Sequence, residues 1–261
     1  MKKRLLSLMA AFMLLLTCAV GLSFGGEARA EETVKPIDLY LVGGQSNAAG
    51  CSKAVGVDGS FGNVMYAGEV DKRLDGTSVG SGSNLYSYAT YKRAVTVGCG
   101  VRNGYIGPEF GMAKTLNSYY SGDKKAIIFK SAAGGTALQN KNSGLSATYG
   151  NWYPRSMWKT GFTPDAKVSP TGVQYKNFVD NFRQVYNTLK MNGYEPKVKG
   201  MVWMQGEDDR DKSEAYRKVI QVFVRDLRED LTEITGADAS NALFAMGEIS
   251  ETFRTSFEKA Q

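Results

Sequence analysis

The chain has 261 residues, a formal net charge of +6 and no histidine. Its lysines and arginines form no stripe interleaved with aromatic residues, so the mild basicity does not indicate a nucleic-acid-binding protein. Histidine is the commonest general base for a serine nucleophile and the commonest metal ligand in proteins. Any hydrolytic interpretation of this sequence must therefore account for the absence of an imidazole.

The first 30 residues have the layout of a secretory signal peptide. A basic start at residues 2–4 precedes an apolar core at residues 5–20, and residues 28–30 form an A-x-A cleavage signal. The apolar run is short for a membrane-spanning helix, which needs about 20 residues. We therefore expect cleavage after Ala30 and export to the periplasm or the extracellular space. We expect no stable membrane insertion of the mature chain, residues 31–261.

Two cysteines remain after this cleavage, Cys51 and Cys99. In an exported protein two cysteines can form a disulfide, because the compartment is oxidising. Their number and spacing match neither a disulfide framework nor a metal-ligand motif. A Cys51–Cys99 disulfide is therefore an open possibility.

Strands and helices alternate through the mature chain. Short apolar runs predict buried strands, and apolar residues at helical spacing predict amphipathic helices. The predicted order is strand 37–42, loops with short strands at 63–66 and 94–97, helix 108–119, strand 126–130, loop 139–170, helix 174–191, strand 198–204, helix 213–232 and strand 242–247. This alternation is typical of right-handed βαβ units, so we expect an α/β fold with a parallel sheet between helix layers.

Three of the predicted strands end in polar turns that contain glycine. These turns have the sequences GGQSN (43–47), SAAGGT (131–136) and MQGED (204–208). The carboxyl ends of parallel strands share one edge of a sheet, where open α/β folds bind their ligands. We therefore expect the three turns to converge on one crevice.

Ser46 is the candidate nucleophile of this crevice. A serine nucleophile needs a base for its proton and N–H donors for the oxyanion. Candidate donors are the backbone N–H of Ser46 or Asn47, a backbone N–H of the Gly134–Gly135 turn and the side-chain amide of Gln205. Glu207 could orient an imidazole, as the acid of a catalytic triad does. Two ordinary alternatives stay open, since Ser46 could cap a helix and Glu207 could belong to a solvated acidic cluster.

Substrate-binding candidates surround the same turns. Gln45 and Asn47 place amide side chains on both sides of Ser46, and glycine at position 134 allows a backbone to approach a ligand closely. Trp152 and Trp158 could stack on sugar rings. Buried aromatic side chains that hold a loop in place are an equally good explanation of these two tryptophans.

Four motifs together resemble a known family. The segments GGQSN, GPEFGMAKTL, KSAAGGTAL and VWMQGEDD resemble those of SGNH hydrolases of the sialate O-acetylesterase-like type and of family 6 carbohydrate esterases. The resemblance runs from about residue 37 to 248. It implies a three-layer α/β/α sandwich with a parallel sheet of about five strands, as in SGNH-hydrolase and flavodoxin-like folds. It also implies a secreted esterase, without metal or cofactor, that deacetylates acetylated oligo- or polysaccharides such as acetylxylan, or O-acetyl sialic acid.

The resemblance also implies roles for individual residues. Ser46 matches the nucleophile of the family, and its N–H, a glycine of the pair 134–135 and Gln205 match the oxyanion hole. Glu207 matches a residue that assists the catalytic histidine. A different hydrolase fold is disfavoured, because the G-x-S-x-G elbow of α/β-hydrolases follows several strands, whereas Ser46 follows the first.

One departure from the family bears on activity. The family ends with an Asp-x-x-His block that supplies the base, and this sequence has no such block. Two explanations compete: a chain truncated relative to its natural gene product, or a degenerate protein that keeps the crevice without the chemistry. A carboxylate with a pKa of about 4.3 is a poor base for a serine hydroxyl at neutral pH. We therefore expect little or no esterase activity from these 261 residues, and the alternative function is a secreted carbohydrate-binding pseudoenzyme.

Overall fold

The computed structural model describes residues 34–70, 93–165, 167 and 169–249, which lie in one compact unit, Val34–Gln261. The predicted signal peptide, residues 1–30, is outside the described residues, and its cleavage stays a prediction. Within the described ranges, no helix combines the length and the apolar character needed to cross a membrane.

A mixed sheet forms the centre of the unit. The strands in chain order are β1 (Lys35–Gly44), β2 (Ser52–Lys53), β3 (Ser60–Val70), β4 (Arg93–Thr96), β5 (Tyr105–Ile106), β6 (Lys125–Ala132), β7 (Tyr194–Met204) and β8 (Leu243–Met246). Among the described residues, six strands form the main sheet in the order β4-β3-β6-β1-β7-β8, and β2 pairs with β5. Five strands of the main sheet are parallel and the edge strand β4 is antiparallel. The predicted parallel sheet of about five strands is confirmed.

Helices cover both faces of this sheet. They are α1 (Ser46–Ala49), α2 (Pro108–Leu116), α3 (Ser146–Tyr149), α4 (Val173–Met191) and α5 (Ser213–Thr235), with 3-10 helices at Arg155–Met157 and Glu207–Lys212. One core lies between the sheet and the helices α4 and α5, and a second core lies between the opposite face and the helices α1 and α2. The structure therefore has the three layers expected from the sequence.

Helices cover both faces of the central strand β1, which explains the apolar run at residues 39–42. Leu39 and Leu41 point into the core beneath α4 and α5, and Val42 points into the core beneath α1 and α2. All three side chains are fully buried. A strand covered on both faces has no polar face, so its residues do not alternate between polar and apolar.

Strand β3 differs most from the sequence prediction. A short strand was expected at residues 63–66, but β3 spans Ser60–Val70 and pairs in parallel with β6. Glycines at positions 62 and 68 interrupt the apolar pattern, and glycine is depleted in strands. Gly68 lies where the backbones of β3 and β6 approach each other closely. A Cβ at this position would lie 2.7 Å from the carbonyl oxygen of Lys130 on β6, so a side chain would not fit.

The structure also locates Cys51 and Cys99, the two cysteines that follow the predicted signal peptide. Cys51 is exposed just after α1, whereas Cys99 is buried in the connection between β4 and β5. No disulfide joins them. The fold of the described residues is therefore held by its two cores and by hydrogen bonds rather than by a cross-link between these cysteines.

Candidate active site

The three polar turns begin side by side at the carboxyl edge of the sheet. Gly44, the last residue of β1, is in register with Ala132 of β6 and with Met204 of β7. Backbone hydrogen bonds continue past the strand ends: Ala133 donates to the Gly44 carbonyl at 3.1 Å, and Gln45 donates to the Met204 carbonyl at 2.9 Å. The turns that follow β1, β6 and β7 are thus fixed relative to one another by main-chain contacts.

Gly44 allows the sharp turn that presents Ser46. Its φ is +133°, and a Cβ at this position would lie within 3.0 Å of three backbone atoms of Met204. Only glycine fits a backbone that turns in this way against a neighbouring strand. The chain then enters the single helical turn α1 at Ser46, directly above the end of β1.

Ser46 does not act as a helix cap. The cap position of α1 is Gln45, and no side chain caps this end of the helix. Ser46 is half-buried, and its hydroxyl has no hydrogen-bond partner among the described residues. Its carbonyl accepts the N–H groups of Gly50 and Cys51 at 3.0 and 3.2 Å. The main chain of Ser46 is therefore fixed, while its hydroxyl is available to a reacting group.

Glu207 is held by both neighbours of Ser46. The side-chain amide of Gln45 donates to Oε2 of Glu207, and that of Asn47 donates to Oε1 at 2.7 Å. Glu207 is 9% exposed, so it does not belong to a solvated cluster. Burial raises the pKa of its carboxyl, and the hydrogen bonds it accepts offset part of that effect. Because both oxygens already accept amide protons, the geometry suits a positioning group better than a base for Ser46.

The structure does not place Gln205 as the predicted oxyanion donor. Its Nε2 donates to the Thr136 carbonyl at 3.0 Å and to Oδ2 of Asp209 at 2.6 Å. These two acceptors use both N–H groups of the amide, so as placed it offers no donor to an oxyanion. Gln205 instead joins the turn after β7 to the turn after β6.

Asp209 completes that connection, and sequence reasoning missed it. It is buried, and it accepts the backbone N–H groups of Leu138 and Gln139 at 2.7 and 3.2 Å. Burial raises the pKa of Asp209, and these hydrogen bonds oppose the rise. The one signal in the sequence was its position four residues after Gln205, within an acidic run that otherwise reads as solvent-exposed.

The turn after β6 keeps a backbone donor available. Gly135 has a φ of +64°, and its N–H makes no hydrogen bond within the described ranges. The turn is covered by Leu145, whose Cδ1 would lie 2.5 Å from a Cβ at position 135. Leu145 is an exposed apolar side chain that the sequence did not single out. Gly134, the other predicted residue of this turn, is half-buried beside it.

The two tryptophans have different environments. Trp152 is fully buried, donates its Nε1–H to Oγ1 of Thr136 at 2.9 Å, and packs edge-on against Trp203 at 5.0 Å between ring centroids. The predicted sugar-stacking role of Trp152 is therefore wrong, because its ring has no exposed surface. Trp158 is half-buried and packs on Tyr175 of α4, with its Nε1–H donated to the Tyr153 carbonyl at 3.0 Å.

Within the described ranges, no three side chains of His, Cys, Asp or Glu form a group that could hold a metal ion.

The model of the carbohydrate esterase family described as sialic acid-specific acetylesterase matches residues 36–259. The chain belongs to this family. By this resemblance it is a carboxylic ester hydrolase of the carbohydrate acetylesterase type.

Solved structures of similar shape include NanS, which is 16% identical with a TM-score of 0.56, over 87% of this chain and 72% of that chain. A carbohydrate acetylesterase from Xanthomonas citri is 15% identical with a TM-score of 0.45, over 85% of this chain and 47% of that chain. A protein from Arabidopsis thaliana is 15% identical with a TM-score of 0.44, over 85% and 95% of the two chains. The likeness to NanS supports the fold. A comparison with curated protein sequences gave no match.

The candidate site combines a serine hydroxyl, backbone N–H groups and two buried carboxylates. Ser46 and the N–H of Gly135 lie on the turns that follow the paired strands β1 and β6. The carboxylates of Glu207 and Asp209 are both occupied by amide donors. The chain contains no imidazole that could take the serine proton.

Proposed function

We propose that this chain is an exported carbohydrate esterase that removes O-acetyl groups from acetylated sugars, of the acetylxylan or O-acetyl sialic acid type. The observation that carries the proposal is the position of Ser46. It follows the central strand, lies between two amides that hold one carboxylate, and neighbours a glycine turn with an available N–H. Membership of the carbohydrate esterase family supports the sugar ester as substrate.

The reaction would proceed through an acetyl-enzyme. The Ser46 hydroxyl oxygen attacks the acetyl carbonyl carbon while a base takes the hydroxyl proton. The oxyanion accepts N–H groups from the backbone of Ser46 and Gly135. Collapse of the tetrahedral intermediate breaks the bond to the sugar oxygen, which leaves with a proton. Water then attacks acetyl-Ser46, releasing acetate and restoring the hydroxyl.

The base is the component that these side chains do not provide. In serine proteases, loss of triad members leaves only about 10³–10⁴-fold catalysis over water. We therefore propose that the 261-residue chain has weak or no esterase activity unless a base is supplied from outside it.

Chemical rescue tests this proposal directly. The purified chain would be incubated with 4-nitrophenyl acetate and increasing imidazole, and acetylation of Ser46 would be followed by intact-protein and peptide mass spectrometry. Imidazole cleaves this ester by itself, so the Ser46→Ala variant measures the background. We expect imidazole-dependent acetylation at Ser46 that the variant lacks. Equal labelling of both proteins at every imidazole concentration would remove esterase chemistry from this site.

Export has a separate test. The full chain would be produced in a bacterial host, and the protein recovered outside the cytoplasm would be sequenced from its amino terminus. We expect it to begin at Glu31. Recovery of an uncleaved chain from the cytoplasm would contradict the proposed localisation.

The partly exposed Trp158 supports one second candidate, a carbohydrate-binding pseudoenzyme. Of the two predicted tryptophans, only Trp158 has exposed surface for such a role. Titration with acetylated and deacetylated xylan fragments, followed by tryptophan fluorescence, separates the two candidates. Equal affinity for both fragments, together with no labelling of Ser46, would favour the binding protein.

A further inference from the structure

A fully buried ion pair lies next to the helical turn that carries Ser46. Lys130 Nζ lies 2.8 Å from Oε2 of Glu109, and neither side chain has exposed surface. Burying two charges is costly unless their geometry is good and the remaining donors and acceptors find partners. The esterase chemistry proposed for Ser46 uses neither group, so the presence of this pair requires another explanation.

The lysine binds the far end of the Ser46 turn. Lys130 Nζ donates to the Ala49 carbonyl at 3.0 Å and to the Cys99 carbonyl at 2.7 Å. Ala49 is the last residue of α1, three positions after Ser46. Lys130 itself lies on β6, the strand that leads into the Gly134–Gly135 turn. One buried cation thus connects the nucleophile turn to the strand that carries the candidate oxyanion donor.

The glutamate extends this connection to helix α2. Oε1 of Glu109 accepts the backbone N–H of Gly107 at 2.8 Å, at the entrance to α2. Gly50 follows α1 and lies close to both Gly100 and Gly107. A Cβ at Gly50 would lie 2.7 Å from the Cα of Gly100 and 2.8 Å from the nitrogen of Gly107. Around the end of α1 the main chains are therefore in direct contact, and the buried charges hold the segments together.

We propose that Lys130 and Glu109 are positioning residues for Ser46. A single helical turn is too short to be stable by itself, so its direction depends on the contacts at its ends. A hydrogen bond from a charged donor is stronger than one between neutral groups, and Lys130 makes such a bond at the carbonyl end of α1. The pair fixes α1 relative to β6, and with it the separation of the Ser46 hydroxyl from the Gly135 N–H. This role rests on the proposed function in so far as Ser46 is the nucleophile.

The test needs a variant that removes the pair without leaving one charge buried. Removal of one partner of a buried ion pair is strongly destabilising, so Lys130→Met alone is unsuitable. The double variant Lys130→Met/Glu109→Gln removes both charges and keeps the volumes similar. The matched control is Asp226→Asn: Asp226 is a buried charge on α5, on the opposite face of the sheet, and it accepts the Ser156 N–H at 2.7 Å.

Two readouts separate positioning from general stability. Hydrogen exchange of a peptide covering residues 45–51 reports the Gly50 and Cys51 amides, which donate to the Ser46 carbonyl. A peptide from α4 reports the rest of the fold. The second readout is the rate of imidazole-dependent acetylation of Ser46, measured where circular dichroism shows the protein to be folded. A KM-against-kcat comparison for 4-nitrophenyl acetate accompanies it.

We expect faster exchange in residues 45–51 of the double variant, unchanged exchange in α4, and slower acetylation by a factor on the order of 10 to 100. The loss should appear in kcat rather than KM, because the substrate is small and contacts mainly the reacting groups. The Asp226→Asn control should lower the melting temperature and leave both readouts of the Ser46 turn unchanged. Wild-type exchange and acetylation in the folded double variant, or an equal loss in the control, would overturn the proposal.

Two further outcomes have defined consequences. If the wild-type chain shows no Ser46-dependent acetylation, the proposed function fails, and the exchange of residues 45–51 alone decides whether the pair positions this turn. If the double variant does not fold, Lys130→Gln/Glu109→Gln is measured in the same way, because it also removes both charges and keeps an amide donor at position 130. We expect that variant to show a smaller change in the same direction. Unchanged exchange there would also reject the proposal.

Discussion

Asn47 donates its side-chain N–H to Oε1 of Glu207 at 2.7 Å, although the two residues are 160 positions apart in the chain. The Gln45 amide takes the other carboxylate oxygen. Ser46 therefore lies between two amides that share one acceptor at the end of β7. The Glu207 carboxylate, which lies on a different turn, thus fixes the two residues on either side of the candidate nucleophile. This contact gives the glutamate a positioning role that does not require it to act as a base.

Replacement of this carboxylate tests the contact. In Glu207→Gln one carboxylate oxygen becomes an NH₂ group that faces an amide donor, so one buried donor loses its acceptor. We expect the free energy of unfolding to fall by about 1–3 kcal/mol. Urea denaturation measures the change. The matched control is the neighbouring Asp208→Asn, where a partly exposed carboxylate pairs with Lys141 at 2.9 Å. That loss should be about 0–1 kcal/mol, and equal losses in the two variants would contradict the burial-based account.

The raised pKa of Glu207 also predicts how the stability difference between the wild type and Glu207→Gln depends on pH. Burial raises the pKa of Glu207 above its ordinary value of 4.5, so the folded state binds more protons than the unfolded state between the two pKa values. Stability from this group is therefore fully present below about pH 4.5 and falls as the pH rises through the folded pKa. The stability difference between the wild type and Glu207→Gln should be larger near pH 4.5 than at neutrality. Urea denaturation across this range measures it, and a difference that grows with pH would show the opposite sign.

Much of the fold follows from the sequence because local patterns determine it. The apolar run of β1 and the helical spacing of α4 and α5 predicted those elements to within a few residues. The parallel arrangement of the strands then predicted that their polar turns would meet. The length of strand β3 is not predictable from the sequence, because Gly62 and Gly68 resemble loop residues. Only the structure shows that β6 approaches β3 closely at Gly68.

The hydrogen bonds of the site could not be predicted in the same way. Within one polar turn, spacing does not show which side chain faces inward, and Gln205 uses its N–H groups on Thr136 and Asp209. The burial of Trp152 depends on Trp203 and Phe223, which come from distant segments. These choices are made by tertiary packing, and only the folded chain reveals them.

The close approach of β1 and β7 at Gly44 gives a further prediction. A Cβ there would meet the backbone of Met204, and the φ of +133° is unfavourable for any other residue. We expect Gly44→Ala to lower the free energy of unfolding by roughly 3 kcal/mol or more, and to abolish imidazole-dependent acetylation of Ser46. Gly111→Ala is the control, because it lies in α2 and its Cβ would meet nothing within 4 Å. That substitution should stabilise by about 0.5–1 kcal/mol, and thermal unfolding distinguishes the two.

The two tryptophans give the last prediction, since one is buried and the other partly exposed. Trp152 contacts Trp203 within the core, and removal of so large a buried side chain costs about 3–5 kcal/mol. The milder Trp152→Phe should lower stability and leave the affinity for xylan fragments unchanged per folded molecule. Trp158→Ala should cost about 0.5–3 kcal/mol and weaken any binding of these fragments. Calorimetric titration measures the affinity, because fluorescence changes when a tryptophan is removed. A loss of affinity in Trp152→Phe, with none in Trp158→Ala, would mean that the core rather than the partly exposed indole of Trp158 determines sugar binding.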